Sequence, residues 1–110
     1  MALIVKPLYA ANVGVTTTSI LYAPSAGRSA LVTSVRLVNN GPNSAQVNLL
    51  VQPSASAQSW QITKKDYPLA VGAAMVMQDP LTLGAGDRLQ ILVTGTSPSI
   101  ASTVFGAERQ

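Results

Sequence analysis

Apolar and polar residues alternate along most of this chain, and turn-forming residues separate the alternating runs. Val47, Leu49 and Val51 alternate with polar residues, and the runs 88–94 and 100–105 show the same period of two. Successive side chains of a β-strand point to opposite faces of its sheet, so this period predicts strands with one buried face. We therefore expect Val47, Leu49 and Val51 to point into a core.

The run 29–39 has the same period. Its two predicted faces consist of Leu31, Val35 and Leu37 on one side and Val32, Arg36 and Val38 on the other. The sequence NNGPN follows directly, where Gly41 allows a positive φ and Pro42 has a fixed one. Together with the run 45–51, this pattern predicts a hairpin that joins two strands of one sheet.

Pro and Gly recur roughly every ten residues, and Val, Ile and Thr are frequent between them, which disfavours helices. The prediction is an all-β fold, a single small antiparallel β-sandwich or barrel, jelly-roll-like or Ig-like, of about seven or eight strands. With 110 residues the chain has the size of one domain, and residues 15–110 are predicted to form it.

Residues 1–14 do not fit this pattern and are predicted to form an extended N-terminal arm, interrupted by Pro7. An apolar terminus outside a core adds to a sheet edge, reaches onto a neighbouring molecule, or frays and docks locally. If the arm contacts a partner, its candidate contact residues are Leu3, Ile4, Val5, Leu8 and Tyr9.

The composition indicates which residue types form the surface. Hydrophobic residues make up 47% of the chain and charged residues 10%, against about 25% charged in a typical domain. The surface is therefore expected to consist largely of small and uncharged polar residues. The net charge of +3 reflects few acidic residues. Lys64 and Lys65 are followed at once by Asp66, so no basic patch of the kind that binds nucleic acid is expected.

The N-terminal apolar run, Ala2 to Val5, is too short for the core of a signal peptide, and the run 69–77 is too short for a membrane helix. We therefore expect neither export nor a membrane partner.

The chain contains no His and no Cys. Thiolate and imidazole metal sites are therefore excluded, and so is nucleophilic catalysis with a His base. The acidic residues have structural interpretations: Asp79 precedes Pro80, Asp87 is expected to cap a turn in GAGDR, and Asp66 offsets two lysines. We expect no enzyme activity, no cofactor and no metal.

Two segments, 20–51 and 67–108, resemble small virion proteins of tailed bacteriophages. The shared layout comprises a Pro-Gly turn, a strand ending in Asn, a strand preceding L-x-L-x-x-G-D, and a terminal strand that closes on Gly and an acidic residue. The resemblance covers about residues 16–108 and points to capsid decoration (cement) proteins or accessory head and tail proteins.

The resemblance implies a non-enzymatic protein made in the host cytoplasm that binds the capsid exterior. Its partners would be the major capsid protein and two further copies of itself, as a homotrimer that clamps neighbouring capsid subunits. The alternative is a tail or head-fibre accessory module that binds host glycans through exposed Tyr67 or Trp60. Trp60 and Ile62 are two residues apart and therefore point to the same side of a strand, which predicts that Trp60 lies in the core.

Overall fold

The protein consists of β-strands joined by turns, in a computed structural model that describes residues 6–14, 18–24, 27–55, 58–78 and 80–109. The described residues contain no helix. Their ten strands are β1 Lys6–Val13, β2 Ser19–Tyr22, β3 Ser29–Asn39, β4 Ala45–Gln52, β5 Trp60–Gln61, β6 Tyr67–Leu69, β7 Ala74–Met77, β8 Leu81–Leu83, β9 Arg88–Gly95 and β10 Ile100–Arg109. The longer strands are rich in Val, Ile and Thr, whose branched side chains pack well on a pleated surface.

The strands form two antiparallel sheets. Sheet A has the order β1–β10–β3, and β7 and β8 lie one after the other along the far side of β3. Sheet B has the order β2–β9–β4, and β5 and β6 share the far side of β4 in the same way. Counting β5 with β6 as one position and β7 with β8 as another, the strands occupy eight positions in chain order. The first position pairs with the eighth, the second with the seventh, the third with the sixth and the fourth with the fifth. This connectivity is that of a jelly roll, which confirms the predicted all-β sandwich.

The core lies between the two sheets and is built from alternate residues of the four central strands. Fully buried residues include Val35, Leu37, Val47, Leu49, Leu89, Ile91, Val93, Ile100 and Val104. The alternation predicted for the runs 45–51, 88–94 and 100–105 is therefore confirmed, with Val47, Leu49 and Val51 on the inward side. The contacts between these side chains supply most of the apolar burial that holds the sheets together.

The segment after β3 is a connection between the two sheets, so the predicted hairpin is wrong. Strand β3 belongs to sheet A and β4 to sheet B. The turn is held by Asn39, whose side chain is fully buried. Its Nδ2 donates to the carbonyls of Leu69 at 2.8 Å and Asn43 at 3.0 Å, while its Oδ1 accepts from the Gly41 amide at 3.0 Å.

Gly41 is needed for close approach and not for a positive φ, which corrects the second part of that prediction. A Cβ at Gly41 would lie 3.0 Å from the Ser99 amide nitrogen. The connection therefore passes tightly beneath the turn that precedes β10.

A β-bulge reverses the predicted faces of the first part of β3. The register with β10 shifts between Phe105 and Gly106, which leaves Thr33 as an extra residue. The Thr33 hydroxyl donates to the Phe105 carbonyl at 3.2 Å. As a result Val32 is fully buried on the same side as Val35 and Leu37, and Leu31 is partly exposed. The predicted grouping of Leu31 with Val35 and Leu37 is therefore wrong, and that of Val35 with Leu37 is confirmed.

We expect Asn39→Ala to lower the free energy of unfolding by about 2 to 4 kcal/mol, because it leaves buried backbone groups without partners. Urea unfolding followed by circular dichroism measures this loss. Asn40→Ala is the matched control, since the Asn40 side chain makes only an exposed hydrogen bond, with Ser99, and should change stability by no more than about 0.5 kcal/mol. Equal effects of the two substitutions would contradict the role given to Asn39.

We expect Gly106→Ala to lower the free energy of unfolding by about 3 kcal/mol, because the new Cβ would lie 2.0 Å from the Leu31 carbonyl oxygen. In Gly14→Ala the nearest atom to the new Cβ is the Pro98 carbonyl oxygen at 3.4 Å. This control should be neutral or stabilising by up to about 1 kcal/mol. The same unfolding assay applies, and a neutral Gly106→Ala would show that the bulge can move.

Candidate interaction surfaces

The residues predicted to contact a partner lie at and before strand β1. Leu3, Ile4 and Val5 fall outside the described residues, and Leu8 and Tyr9 lie within β1. Strand β1 covers residues 6–13 of the predicted arm and pairs antiparallel with β10 of the same chain. These residues therefore add to a sheet edge, and a partner contact by this segment stays a prediction.

The outer face of sheet A carries small and apolar side chains. One cross-strand row contains Ala10, Thr103, Arg36 and Val76, and the next contains Asn12, Ala101, Val38 and Ala74. Val76 is 49% exposed, and Arg36 is the charged residue of these two rows. The solvent face of an antiparallel sheet is usually polar, so this face departs from the expected pattern. We call it the apolar face.

The outer face of sheet B has a different chemistry and carries a set of side-chain amides that bond to one another. Gln52 Oε1 accepts hydrogen bonds from Arg88 at 2.7 Å and from Gln90 Nε2 at 3.1 Å. Gln61 Nε2 donates to Asn48 Oδ1 at 2.7 Å. These polar groups are paired with each other, so this part of the face is ordered by its own hydrogen bonds. The same face also carries Leu50, Leu92 and the exposed Ile20. We call it the amide face.

A groove opens between the sheets where β5 and β6 of sheet B face β7 of sheet A. It has a volume of about 280 Å³ and is lined by Ile62, Thr63, Lys64, Tyr67, Met75, Val76, Met77 and Gln78. Ile62, Tyr67 and Met77 are partly buried and pack against the core. We call it the seam groove, and it is the place where the apolar core extends to the surface along this side of the sandwich.

The predicted core position of Trp60 is wrong. Trp60 lies on the two-residue edge strand β5 and is 58% exposed, although it pairs with the partly buried Val51. Trp60 stays exposed at the end of a two-residue edge strand. The alternation with Ile62 therefore did not determine whether Trp60 is buried. Tyr67, the other residue considered for glycan binding, lines the seam groove instead. Ile20 and Val71 are also exposed, at 57% and 56%.

Two of the acidic residues serve local structure: Asp87 caps a turn, as the sequence indicated, and Asp66 contacts Asn48, which the sequence did not indicate. Asp87 accepts hydrogen bonds from the amides of Gly84 and Ser54, both at 2.9 Å, and thus caps the turn between β8 and β9. Asp66 has a φ of 54° and accepts a bond from Asn48 Nδ2. Asp79 lies outside the described residues.

Glu108 forms a polar link between the sheets. The Tyr22 hydroxyl of sheet B donates to the Glu108 carboxylate of sheet A, and Arg28 Nη1 lies 4.0 Å from Glu108 Oε1. Burial raises the pKa of Tyr22 well above its ordinary value near 10, and the hydrogen bond and negative charge of Glu108 raise it further. The buried phenol therefore stays protonated and fixes the distance between the two sheets at this point.

The part of the chain that the structure describes contains no group of three or more acidic side chains placed to hold a metal ion. No helix long and apolar enough to cross a membrane occurs among the described residues.

Comparison with known proteins gives one distant structural likeness. No protein-family model and no curated protein matches the chain. A solved structure of infectious bursal disease virus, Gx strain, resembles it with a TM-score of 0.48 and 8% sequence identity, over 97% of this chain and 30% of that chain. The chain thus spans less than a third of that viral chain, and a likeness this distant assigns neither a family nor a function.

One feature of these surfaces, the apolar character of β7, can be predicted from the sequence. The run AAMVMQ alternates Met with small or apolar residues on both faces, which is a signal for an edge with two apolar sides. The position of β7 opposite Ile62 and Tyr67 depends on the sheet topology and had no signal in the sequence.

We expect the free energy of unfolding to decrease above pH 10, because the Tyr22 pKa is raised in the folded protein. The stabilisation is fully present below the ordinary tyrosine pKa and is lost as the pH rises above it, at about 1.4 kcal/mol per pH unit for one proton. Tyr22→Phe should be less stable at pH 8 by about 1 to 2 kcal/mol and should lose this part of the slope. Parallel slopes for the two proteins between pH 9 and about 11, by urea unfolding, would contradict it.

Proposed function

We propose that the protein is a non-enzymatic structural protein of a virion, a capsid decoration (cement) protein. In this proposal it binds the outer surface of the major capsid protein shell as a homotrimer and clamps neighbouring subunits. The jelly-roll topology is compatible with this role, since jelly rolls recur in viral capsid and lectin domains and in cupins. Because a fold hosts many functions, the proposal depends on the surfaces.

The observation that carries the proposal is the apolar face. It lies on an unbroken part of the sheet, formed by β1, β10, β3 and β7 in register. Small side chains such as Ala74 and Ala101 let a flat neighbouring surface approach the sheet closely. Burying the apolar rows removes them from water and favours association.

Arg36 restricts which partner surfaces fit the apolar face. It is exposed and lies between Thr103 on one neighbouring strand and Val76 on the other. A guanidinium surrounded by small side chains is placed to form a bidentate pair with a carboxylate of the partner. A partner surface that is flat, largely apolar and carries one acidic residue would therefore match it.

The amide face would then remain in contact with water. Its amides are already paired within the molecule, as in Gln61 with Asn48, so these polar groups gain little from a partner. The two faces thus support an orientation in which sheet A contacts the shell and sheet B points away from it.

A modest contact is sufficient for such a role. Many copies bind one symmetric shell, and copies held together as a trimer bind with a high effective concentration. A protein that binds only the assembled shell stabilises that state by mass action.

We expect Ala101→Glu to abolish or reduce binding to the virus particles that carry this protein by at least about tenfold, because it buries a charge at the contact. Binding is measured by sedimenting particles stripped of the protein with added variant. Thr94→Glu is the matched control, since Thr94 also lies partly exposed on a central strand, on the outer side of sheet B, and should bind normally. Circular dichroism checks that both variants are folded, and a reversed order of binding would move the contact to sheet B.

A second candidate, a tail or head-fibre module that binds host glycans, is favoured by one observation. Trp60 exposes 58% of its surface on an edge strand beside the amide-bearing Gln61, and exposed aromatic rings next to amides suit stacking on sugars. Electron microscopy of the particles separates the candidates. Density on the shell with sheet A inward supports the decoration role, and density confined to the tail contradicts it.

A further inference from the structure

We propose that the open edge of β7, together with the seam groove, binds an extended segment of another protein by strand addition. The segment would carry apolar side chains at alternate positions and an acidic residue at one end. This site adjoins the apolar face along β7, where Ala74 and Val76 belong to both, and the inference does not depend on where in a virion the protein acts.

The first argument is that β7 is the one described edge strand of four or more residues that has no charged residue, Pro or register shift. Native sheets block their edges with charged residues, Pro, bulges or very short strands. Strand β1 begins with Lys6 and Pro7 and has a register shift after Pro7, and β2 has a shift after Ile20. Strand β6 contains Pro68.

Strand β7 has none of these devices. Its sequence is AMVM, and its register with β3 runs from Val38 opposite Ala74 to Val35 opposite Met77 without a shift. It contains neither a charged residue nor a Pro. Its other side faces no strand among the described residues.

The second argument concerns the backbone groups at this edge. The Asn39 amide donates to the Ala73 carbonyl at 3.0 Å, which fixes the phase of the ladder between β3 and β7. Hydrogen-bonded pairs alternate in an antiparallel ladder, so Met75 and Met77 bond to β3. The N–H and C=O groups of Ala74 and Val76 consequently point to the open edge, where an added strand would pair with them.

The third argument is the seam groove beside this edge. A strand added to β7 would direct every second side chain between Met77 on one sheet and Ile62 and Tyr67 on the other. Those side chains are partly exposed and would become buried, which favours apolar residues in the segment. Methionine adapts to side chains of different shapes, so the groove tolerates more than one apolar residue type.

Charge supplies the remaining preference. Lys64 lines the groove, is exposed and forms no ion pair with any described residue. A carboxylate at the end of the bound segment would be placed near it. The site therefore prefers an extended segment that begins or ends with an acidic residue.

The test uses the whole protein, isotope-labelled for amide NMR, and a blocked heptapeptide, Glu-Val-Thr-Val-Thr-Val-Thr, as the probe. We expect saturable shift changes at the Ala74 and Val76 amides and along the seam groove. Two further peptides keep the same side chains but lose half of the backbone N–H donors. One is N-methylated at the odd-numbered residues and the other at the even-numbered residues. The weaker of the two should bind at least about tenfold less tightly than the parent peptide.

Two variants locate the site independently of the peptide chemistry. Met77→Lys places a charge in the groove and should weaken peptide binding at least about tenfold. Val71→Lys is the control, since Val71 is 56% exposed in the turn before β7 and does not line the groove, and it should bind normally.

Several results would overturn the proposal. These are no binding at millimolar peptide, shift changes away from β7, and equal affinity of all three peptides, which would mean apolar docking without strand pairing. A dimer of the free protein in which the β7 amides are protected from hydrogen exchange would assign the edge to a second copy of the chain and would also overturn it.

Discussion

The fold depends on the buried side chain of Asn39, which joins the two sheets where the chain passes from β3 in sheet A to β4 in sheet B. Its amide bonds to a carbonyl of strand β6 in sheet B and to the connection that leads to β4. Its backbone groups bond to Gly72 and Ala73, directly before β7 in sheet A. One residue thus fixes the end of β3, the crossing segment and the start of β7. Since the bonds to Leu69 and Gly41 are buried, losing the side chain would leave buried backbone groups unpaired.

The low content of charged residues shapes the two outer faces in different ways. Sheet B compensates with amides that bond to one another, as in the contact of Gln90 with Gln52. Sheet A presents Ala, Val and Thr beside Arg36 and Asn12. This face is the one that the proposed partner would cover. The difference between the two faces therefore links the composition of the chain to the proposed orientation of binding.

The sequence predicted the local structure better than the arrangement of the strands. Alternation identified the inward residues of β4, β9 and β10, because a period of two is a property of the strand itself. It did not reveal that β3 and β4 lie in different sheets, since a crossing and a hairpin use the same turn-forming residues. The bulge at Thr33 reversed the faces of Leu31 and Val32, and its cause lies on another strand, where Gly106 allows the backbones to approach. Likewise, the exposure of Trp60 follows from the shortness of β5, which no pattern of alternation encodes.

The surfaces were less predictable still, because they arise from strands that are distant in the chain. The apolar face combines residues of β1, β3, β7 and β10, and the seam groove combines β7 with residues around β6. A chain with 10% charged residues has few lysines with which to block sheet edges. It blocks them instead with Pro, bulges and short strands, devices that act through the backbone. Strand β7 has four residues, without a Pro or a bulge, and lies beside the seam groove, where Met and Tyr side chains pack at the rim of the described core. An edge that is apolar on two sides and has neither device is a liability in a free protein, and the proposed strand addition would cover it.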